Sequence, residues 1–415
     1  MEAINFDQAS TTFPKAPGTA EAVFRFMTEC GCNISRGSYE GAYSAEEMVY
    51  DTRVLLAGMF HGRDPKNVIF TKNVTESLNV LIKGLLKSGD HVLISGLEHN
   101  AVMRPLVQLE KHGVRFTRIP CREDGTLITE SIEPLIEPAT RAIIMTHASN
   151  VCGTVMPIRE VGALCAKHGI RFIVDSAQTA GVLPLDMEDM QIDALAFTGH
   201  KGLLGPQGTG GFIIKDDLSR ELEPLLSGGT GSISHTEDVP DFLPDRFEPG
   251  TLNLPGIAGL NASLKWLASR QPGSVFLHEL TLTDSFLSQI AHMESDGKLR
   301  IVGLPGVGLH NGANRTGCAP ASDPVKDPAL SDALAHPVRT GVVSVVPKQM
   351  DPAELAFRLD DEYGIATRVG LHCAPSAHRT LRTYPSGTVR FSFGAFHETE
   401  QIDQAVRALT AILYG

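Results

Sequence analysis

No apolar run in this chain of 415 residues approaches the roughly 20 residues needed to span a bilayer, so a membrane protein is not expected. The opening, Met1-Glu2-Ala3-Ile4-Asn5-Phe6-Asp7, lacks a basic start followed by an apolar stretch. No signal peptide is therefore expected, and a cytoplasmic location is. Positive charge is also short: 36 Lys and Arg face 48 Asp and Glu, a formal net charge of -12 that argues against a nucleic-acid partner. The seven cysteines, Cys30, Cys32, Cys121, Cys152, Cys165, Cys318 and Cys373, are odd in number and lack any C-x-x-C spacing. Neither a zinc site nor a disulfide framework is supported, and most of these thiols read as small buried apolar groups in a reducing compartment. No internal repeat is found.

What is present suits a soluble globular protein of two domains, one large and one smaller, with 42% hydrophobic and 20% charged residues. The polar, hydroxyl-rich stretch Asn5 to Pro14 reads as a disordered terminus or as a segment reaching a site, and residues 1–16 are set apart for that reason. A short helix is expected from Pro17 to Glu29, a loop carrying Arg36, and a helix from Ala45 to Met59. From Asn67 strands and helices alternate, which predicts a mostly parallel sheet covered on both faces within a domain of residues 17–257. A long helical stretch from Ile257 to Met293, broken near Gln271-Pro272-Gly273, leads to a smaller α+β domain, 258–415. Within it, 303–338 is rich in Gly, Pro, Asn and Asp and reads as a long surface loop.

Chemistry concentrates at predicted strand ends. The apolar strand Ile170 to Val174 runs into Asp175-Ser176-Ala177-Gln178, and Asp193 to Phe197 runs into Thr198-Gly199-His200-Lys201. In α/β sheets such ends converge at the ligand crevice. An acid that pairs with a pyridinium nitrogen and a lysine that forms a Schiff base are the protein groups pyridoxal phosphate (PLP) chemistry most needs. Two further strands end in Glu98-His99 and in Ser149-Asn150. The helix start at Asn73-Val74-Thr75 reads either as an ordinary N-cap or as a phosphate site, where free amides and the helix dipole favour an anion.

Taken together, Asp7 to Thr12, Glu98-His99, Ser149-Asn150, Asp175 to Gln178, Thr198 to Lys201 and Arg368-Val369-Gly370-Leu371-His372-Cys373 resemble the class V aminotransferase-like, fold-type I PLP enzymes. Cysteine desulfurases and selenocysteine lyases are the nearest of these. The resemblance implies a large domain built on a mostly parallel seven-stranded sheet. It implies Lys201 as the Schiff-base lysine, Asp175 on the pyridine nitrogen, Gln178 facing the ring hydroxyl and His99 stacked on the ring. Thr75, Thr198 and His200 would hold the phosphate with Thr230 from a second copy, which implies a homodimer. Asn150, Arg390 and Arg368 would meet the substrate carboxylate, for which the planar fork of arginine is suited.

Cys373 matches the cysteine that takes sulfur from the substrate, and His372 or Arg368 is expected to lower its pKa. The implied reaction turns L-cysteine into L-alanine and leaves a persulfide on Cys373 for an acceptor thiol, such as a protein of iron–sulfur assembly. Selenocysteine lysis, transamination and C–S lysis on the same scaffold are the alternatives, because a fold hosts several reactions. Thr198 stands where the family often has Ser. Leu371 and residues 374–379 also depart from its better-known members.

Overall fold

The computed structural model describes residues 3–34, 39–233, 235–306 and 338–415. Arg36, Cys318 and residues 307–337, most of the expected 303–338 loop, lie outside the described residues.

The two-faced apolar strands assemble as their composition requires. The elements of the first part of the chain are β1 (Ile4–Asn5), α1 (Thr19–Arg25, running into a π turn at Phe26–Cys30), α2 (Glu40–Met59), β2 (Val68–Thr71), α3 (Val74–Leu85), β3 (His91–Ser95), α4 (Asn100–Glu110), β4 (Arg115–Ile119), α5 (Ile132–Leu135), β5 (Thr140–Thr146), α6 (Ile158–His168), β6 (Arg171–Asp175), β7 (Ala194–Thr198), β8 (Gly210–Ile214) and α7 (Asp216–Glu221). Seven strands form one sheet in the order β2-β8-β7-β6-β5-β3-β4, with only β8 antiparallel to its neighbours. Alternate residues serve opposite faces: Ile143, Met145, Val174 and Phe197 enter one core, while Ala142, Ile144, Ile173 and Ala196 enter the other. Burying each large apolar side chain stabilises the sheet by about 1.5–3 kcal/mol.

The second part comprises α8 (Leu254–Ala268), α9 (Ser274–Ser295), β9 (Leu299–Val302), β10 (Val342–Pro347), α10 (Pro352–Tyr363), β11 (Ile365–Ala366), β12 (Arg368–Gly370), α11 (Pro375–Thr380), β13 (Thr388–Ser392) and α12 (Thr399–Tyr414). Its antiparallel sheet runs β12-β13-β10-β9. A third core of Phe286, Ile290, Val343, Phe391, Ile402 and Leu409 fills the space beneath. The expected division after residue 257 falls inside α8, whose Ile257, Leu260 and Leu264 belong to a core of the large sheet. The change of core comes between α8 and α9, where Gln271-Pro272-Gly273 breaks the helical run.

The N-terminal segment crosses to the small domain. β1 pairs in parallel with β11, and Ile4 and Phe6 are buried in the small-domain core. α2 begins earlier than its expected start at Ala45, because Ala42 extends the buried stripe Ala45, Val49, Thr52 and Leu56 by one turn. The short β1, β12, α7 and α11 carry too few residues to show a period.

Candidate active site

Four parallel strands, β3, β5, β6 and β7, deliver their C-terminal ends to one edge of the large sheet, and the expected groups sit there. Asp175 closes β6, is 4% exposed, and its Oδ1 accepts the Ala177 N–H at 2.9 Å. Among the described residues its Oδ2 accepts no hydrogen bond. Burial pushes this carboxyl up, against the Ala177 amide and the Lys201 charge, which pull it down. Lys201 lies three residues beyond the end of β7. Burial pushes its amine down to about 8; Asp175, Asp7 and Cys373 oppose the shift and Arg390 reinforces it. Groups from residues 7, 175, 201, 373 and 390 therefore share one electrostatic field.

His99 is the N-cap of α4, and its Nδ1 accepts the Ala101 N–H at 3.0 Å. That bond assigns the proton to Nε2. Burial and the charges of Lys201, Arg104 and Arg390 push the ring down to about 4, so it is neutral. Glu98 beside it is buried, accepting the Ser95 hydroxyl at 2.5 Å and the Thr146 N–H at 3.0 and 3.2 Å. It fastens the end of β3 to the end of β5.

The phosphate candidates meet through β8. Thr198 pairs in register with Gly210, where a Cβ would fall 2.6 Å from the Asn73 Cα, so only glycine lets the start of α3 come this close. Thr198 is buried, with its hydroxyl 3.5 Å from the Thr209 carbonyl oxygen. Thr75 is exposed in the first turn of α3, whose Asn73 cap takes the Glu76 N–H. The buried Nδ1 of His200 has no hydrogen-bond partner among the described residues. The His200 carbonyl accepts the Thr12 N–H and the Lys15 ammonium, both at 3.0 Å. Gln178 donates to the Ala9 carbonyl at 3.1 Å. Thr230 stands apart in an exposed loop, with its hydroxyl 3.0 Å from that of Ser232.

Arg390 on β13 is 2% exposed. Its Nη1 donates to the Asn150 carbonyl at 2.9 Å, and its Nη2 donates to Asp7 Oδ1 at 2.8 Å and to the Ser10 hydroxyl at 2.7 Å. Its buried Nε has no hydrogen-bond partner among the described residues. Arg368 is exposed and approaches the other oxygen of Asp7 at 3.4 Å. Asp7 and Ser10 thus lie against Arg390; the sequence marked them only as part of the Asp7 to Thr12 stretch and gave neither an individual role.

Cys373 is exposed, and it follows His372 in a pair of left-handed residues with φ of 47 and 56°. Such backbone costs about 1–3 kcal/mol per residue and persists only where surroundings hold it. Here the Asn150 amide donates to the His372 carbonyl at 2.8 Å, and the Asn100 N–H donates to the Cys373 carbonyl at 2.8 Å. His372 Nε2 lies 2.9 Å from the Thr388 hydroxyl, which itself donates to Ser344 at 3.1 Å, and Ser344 donates to the Val151 carbonyl at 2.6 Å. With its one proton committed to Ser344, Thr388 accepts from His372 Nε2–H. Burial, with Arg390, His378 and Arg368 nearby, pushes the His372 ring down to about 2. Of the two groups expected to act on the Cys373 thiol, His372 or Arg368, the His372 ring is neutral and offers no positive charge; its hydrogen bond to Thr388 braces the loop.

A buried carboxylate with a bare oxygen, an amine held near neutrality, a neutral ring and an unpartnered buried imidazole nitrogen form a donor set that fits PLP. Among the described residues no group of three or more His, Cys, Asp or Glu could hold a metal ion. No helix among them is long and apolar enough to cross a membrane.

The family model described as aminotransferase class-V matches residues 4–301 and 328–405. The chain belongs to the class V aminotransferase family. It is 30% identical over 403 residues to a probable cysteine desulfurase of Methanothermobacter thermautotrophicus, covering 96% of this chain and 92% of that one. It is also 30% identical over 389 residues to a cysteine desulfurase of Escherichia coli, covering 91% and 86%. Among solved structures, an apo cysteine desulfurase from Thermococcus onnurineus superposes with a TM-score of 0.84 at 27% identity, over 100% of this chain and 95% of that one.

Proposed function

We propose that the chain is a PLP-dependent cysteine desulfurase that converts L-cysteine to L-alanine and captures the sulfur on Cys373. The observation that carries this reading is an exposed thiol in a braced, strained loop, in one field with Lys201 and Arg390. PLP supplies the electron sink, and Lys201, Asp175, His99, Gln178, Thr75, Thr198 and His200 are the residues that would hold it. Arg390, with Asn150 beside it and Arg368 at the rim, receives the substrate carboxylate. Asp175 would supply a buried carboxylate to the pyridine nitrogen. Lys201, its amine held near 8, accepts and returns the α-proton at Nζ. His99 stays neutral and presents its ring without adding charge.

Cys373 then attacks the substrate sulfur as thiolate. A sulfur–sulfur bond forms, the carbon–sulfur bond breaks, and the carbon skeleton keeps that electron pair and leaves as alanine after protonation. The persulfide passes to an acceptor thiol on a sulfur-transfer partner.

The working unit in this reading is a homodimer in the cytoplasm, with Thr230 completing the partner's phosphate site. Support comes from the loop around Thr230, where Leu225, Leu226, Val239 and Phe242 are exposed at 41, 52, 37 and 40%. The test is Cys373→Ala. The variant should keep PLP and bind L-cysteine, yet release almost no alanine from it. Selenium leaves more readily than sulfur, so some selenocysteine lysis should survive. Alanine release from L-cysteine at the parent rate would overturn the persulfide step and favour a lyase or transaminase.

A further inference from the structure

The mechanism leaves one pair of thiols unused. Cys30 ends the π turn that continues α1, Cys32 follows two positions later, and their sulfurs lie 3.4 Å apart. Gly31 between them has φ of 51°, a left-handed turn that glycine adopts freely and that brings both side chains to one side. Both thiols are half-buried, whereas Cys152 and Cys165 are buried. Burial also pushes the Cys121 thiol up to about 12, leaving it little thiolate.

We propose that Cys30 and Cys32 form a reversible dithiol/disulfide couple, oxidised by small-molecule disulfides. One thiolate attacks a sulfur of the small disulfide, forms a mixed disulfide and expels a thiolate. The second cysteine then attacks its neighbour's sulfur and expels the other. Two protein thiols lose two electrons and two protons, and the small disulfide becomes two thiols. The step needs little movement, since closing the gap to a bond of about 2.05 Å takes rotation of two side chains. A ring spanning one intervening residue removes little freedom from the unfolded chain, so the bond gains little stability from closure and is easily reduced again. Burial and the neighbouring Cys32 raise the Cys30 thiol, so oxidation should speed up with rising pH. Oxidation also withdraws the Cys32 hydrogen bond to the Gly41 carbonyl, 3.0 Å away in the first turn of α2.

Trypsin cuts after Arg25 and Arg36, so one peptide carries both thiols and no other cysteine. Holoenzyme treated with glutathione disulfide, alkylated and digested should yield that peptide lighter by two hydrogens and unalkylated. Dithiothreitol added before alkylation should restore two alkyl groups. Cys30→Ser should instead trap glutathione on Cys32 as a stable adduct. A wild-type peptide that still takes two alkyl groups, or that holds a stable glutathione adduct, overturns the proposal. Neither outcome bears on Cys373, which lies on another peptide.

Discussion

Replacing Glu98 with Gln should change how the stability of the protein depends on pH. The Glu98 carboxyl is buried where β3 meets β5. Burial pushes it up to about 8 from an ordinary value of 4.5; the Ser95 hydroxyl and the Thr146 amide pull it down and are outweighed, and the Asp175 charge adds to the rise. A folded-state value above the unfolded one means that the folded chain holds a proton the unfolded chain has released. The stabilisation is therefore complete below about pH 4.5, falls as pH rises, and is gone above about pH 8. At about 1.4 kcal/mol per unit, the loss across that window is on the order of 5 kcal/mol. Gln fills the same space, bridges the same strands and cannot ionise. Apparent melting temperatures of wild type and Glu98→Gln, read from the fluorescence of the single tryptophan, Trp266, should nearly coincide around pH 5 and separate as pH rises. At roughly 1 °C per kcal/mol for a chain of this length, the variant should be ahead by about 5 °C near pH 8 and gain little more beyond it. Glu279, which burial also pushes up to about 8, titrates in both proteins and cancels in the comparison. Parallel curves, or an advantage largest at pH 5, would refute the reasoning.

Lys201→Ala should abolish covalent retention of PLP: borohydride should fix the cofactor in wild type and release it from the variant on denaturation, and equal retention would remove Lys201 from its role. Asp7→Asn keeps the shape but removes the counter-charge of Arg390, an interaction worth about 1.5–3 kcal/mol. KM for L-cysteine should rise about tenfold or more, since each 1.4 kcal/mol is a factor of ten, with kcat less affected. A lower KM would instead show that the Asp7 carboxylate competes with the substrate. Thr388→Val leaves the buried His372 N–H without an acceptor, at a cost of about 1–3 kcal/mol in thermal stability. Thr388→Ser should be near wild type in both stability and alanine release, and a Val variant equal to Ser would remove the brace.

The large sheet and its strand-end chemistry were legible because each signal is local. An apolar run followed at once by Asp175, or by Thr198 to Lys201, carries strand, turn and functional group in one short stretch. The partner of Arg390 was not legible. Asp7 is 383 positions away and reaches β13 only because Phe6 is buried in the small-domain core and Asp7 bridges to Ser392. The domain division was displaced for a similar reason: the helical period of α8 says that it has a buried face, and only packing says which core receives it.

His372 shows the same limit in electrostatics. A histidine next to a nucleophilic cysteine suggests a positive charge, but the charge depends on burial and on cations such as Arg390 from another strand, and both hold the ring neutral. The three anchors of the cysteine loop come from separate places: Asn100 from α4, Asn150 from the loop after β5, and Thr388 from β13 in the small domain. Cys373 is therefore placed where the two sheets' elements meet. The motif Arg368 to Cys373 names the nucleophile, but residues far from it in sequence on both domains fix its position, so a change in their packing would move the thiol without touching the motif.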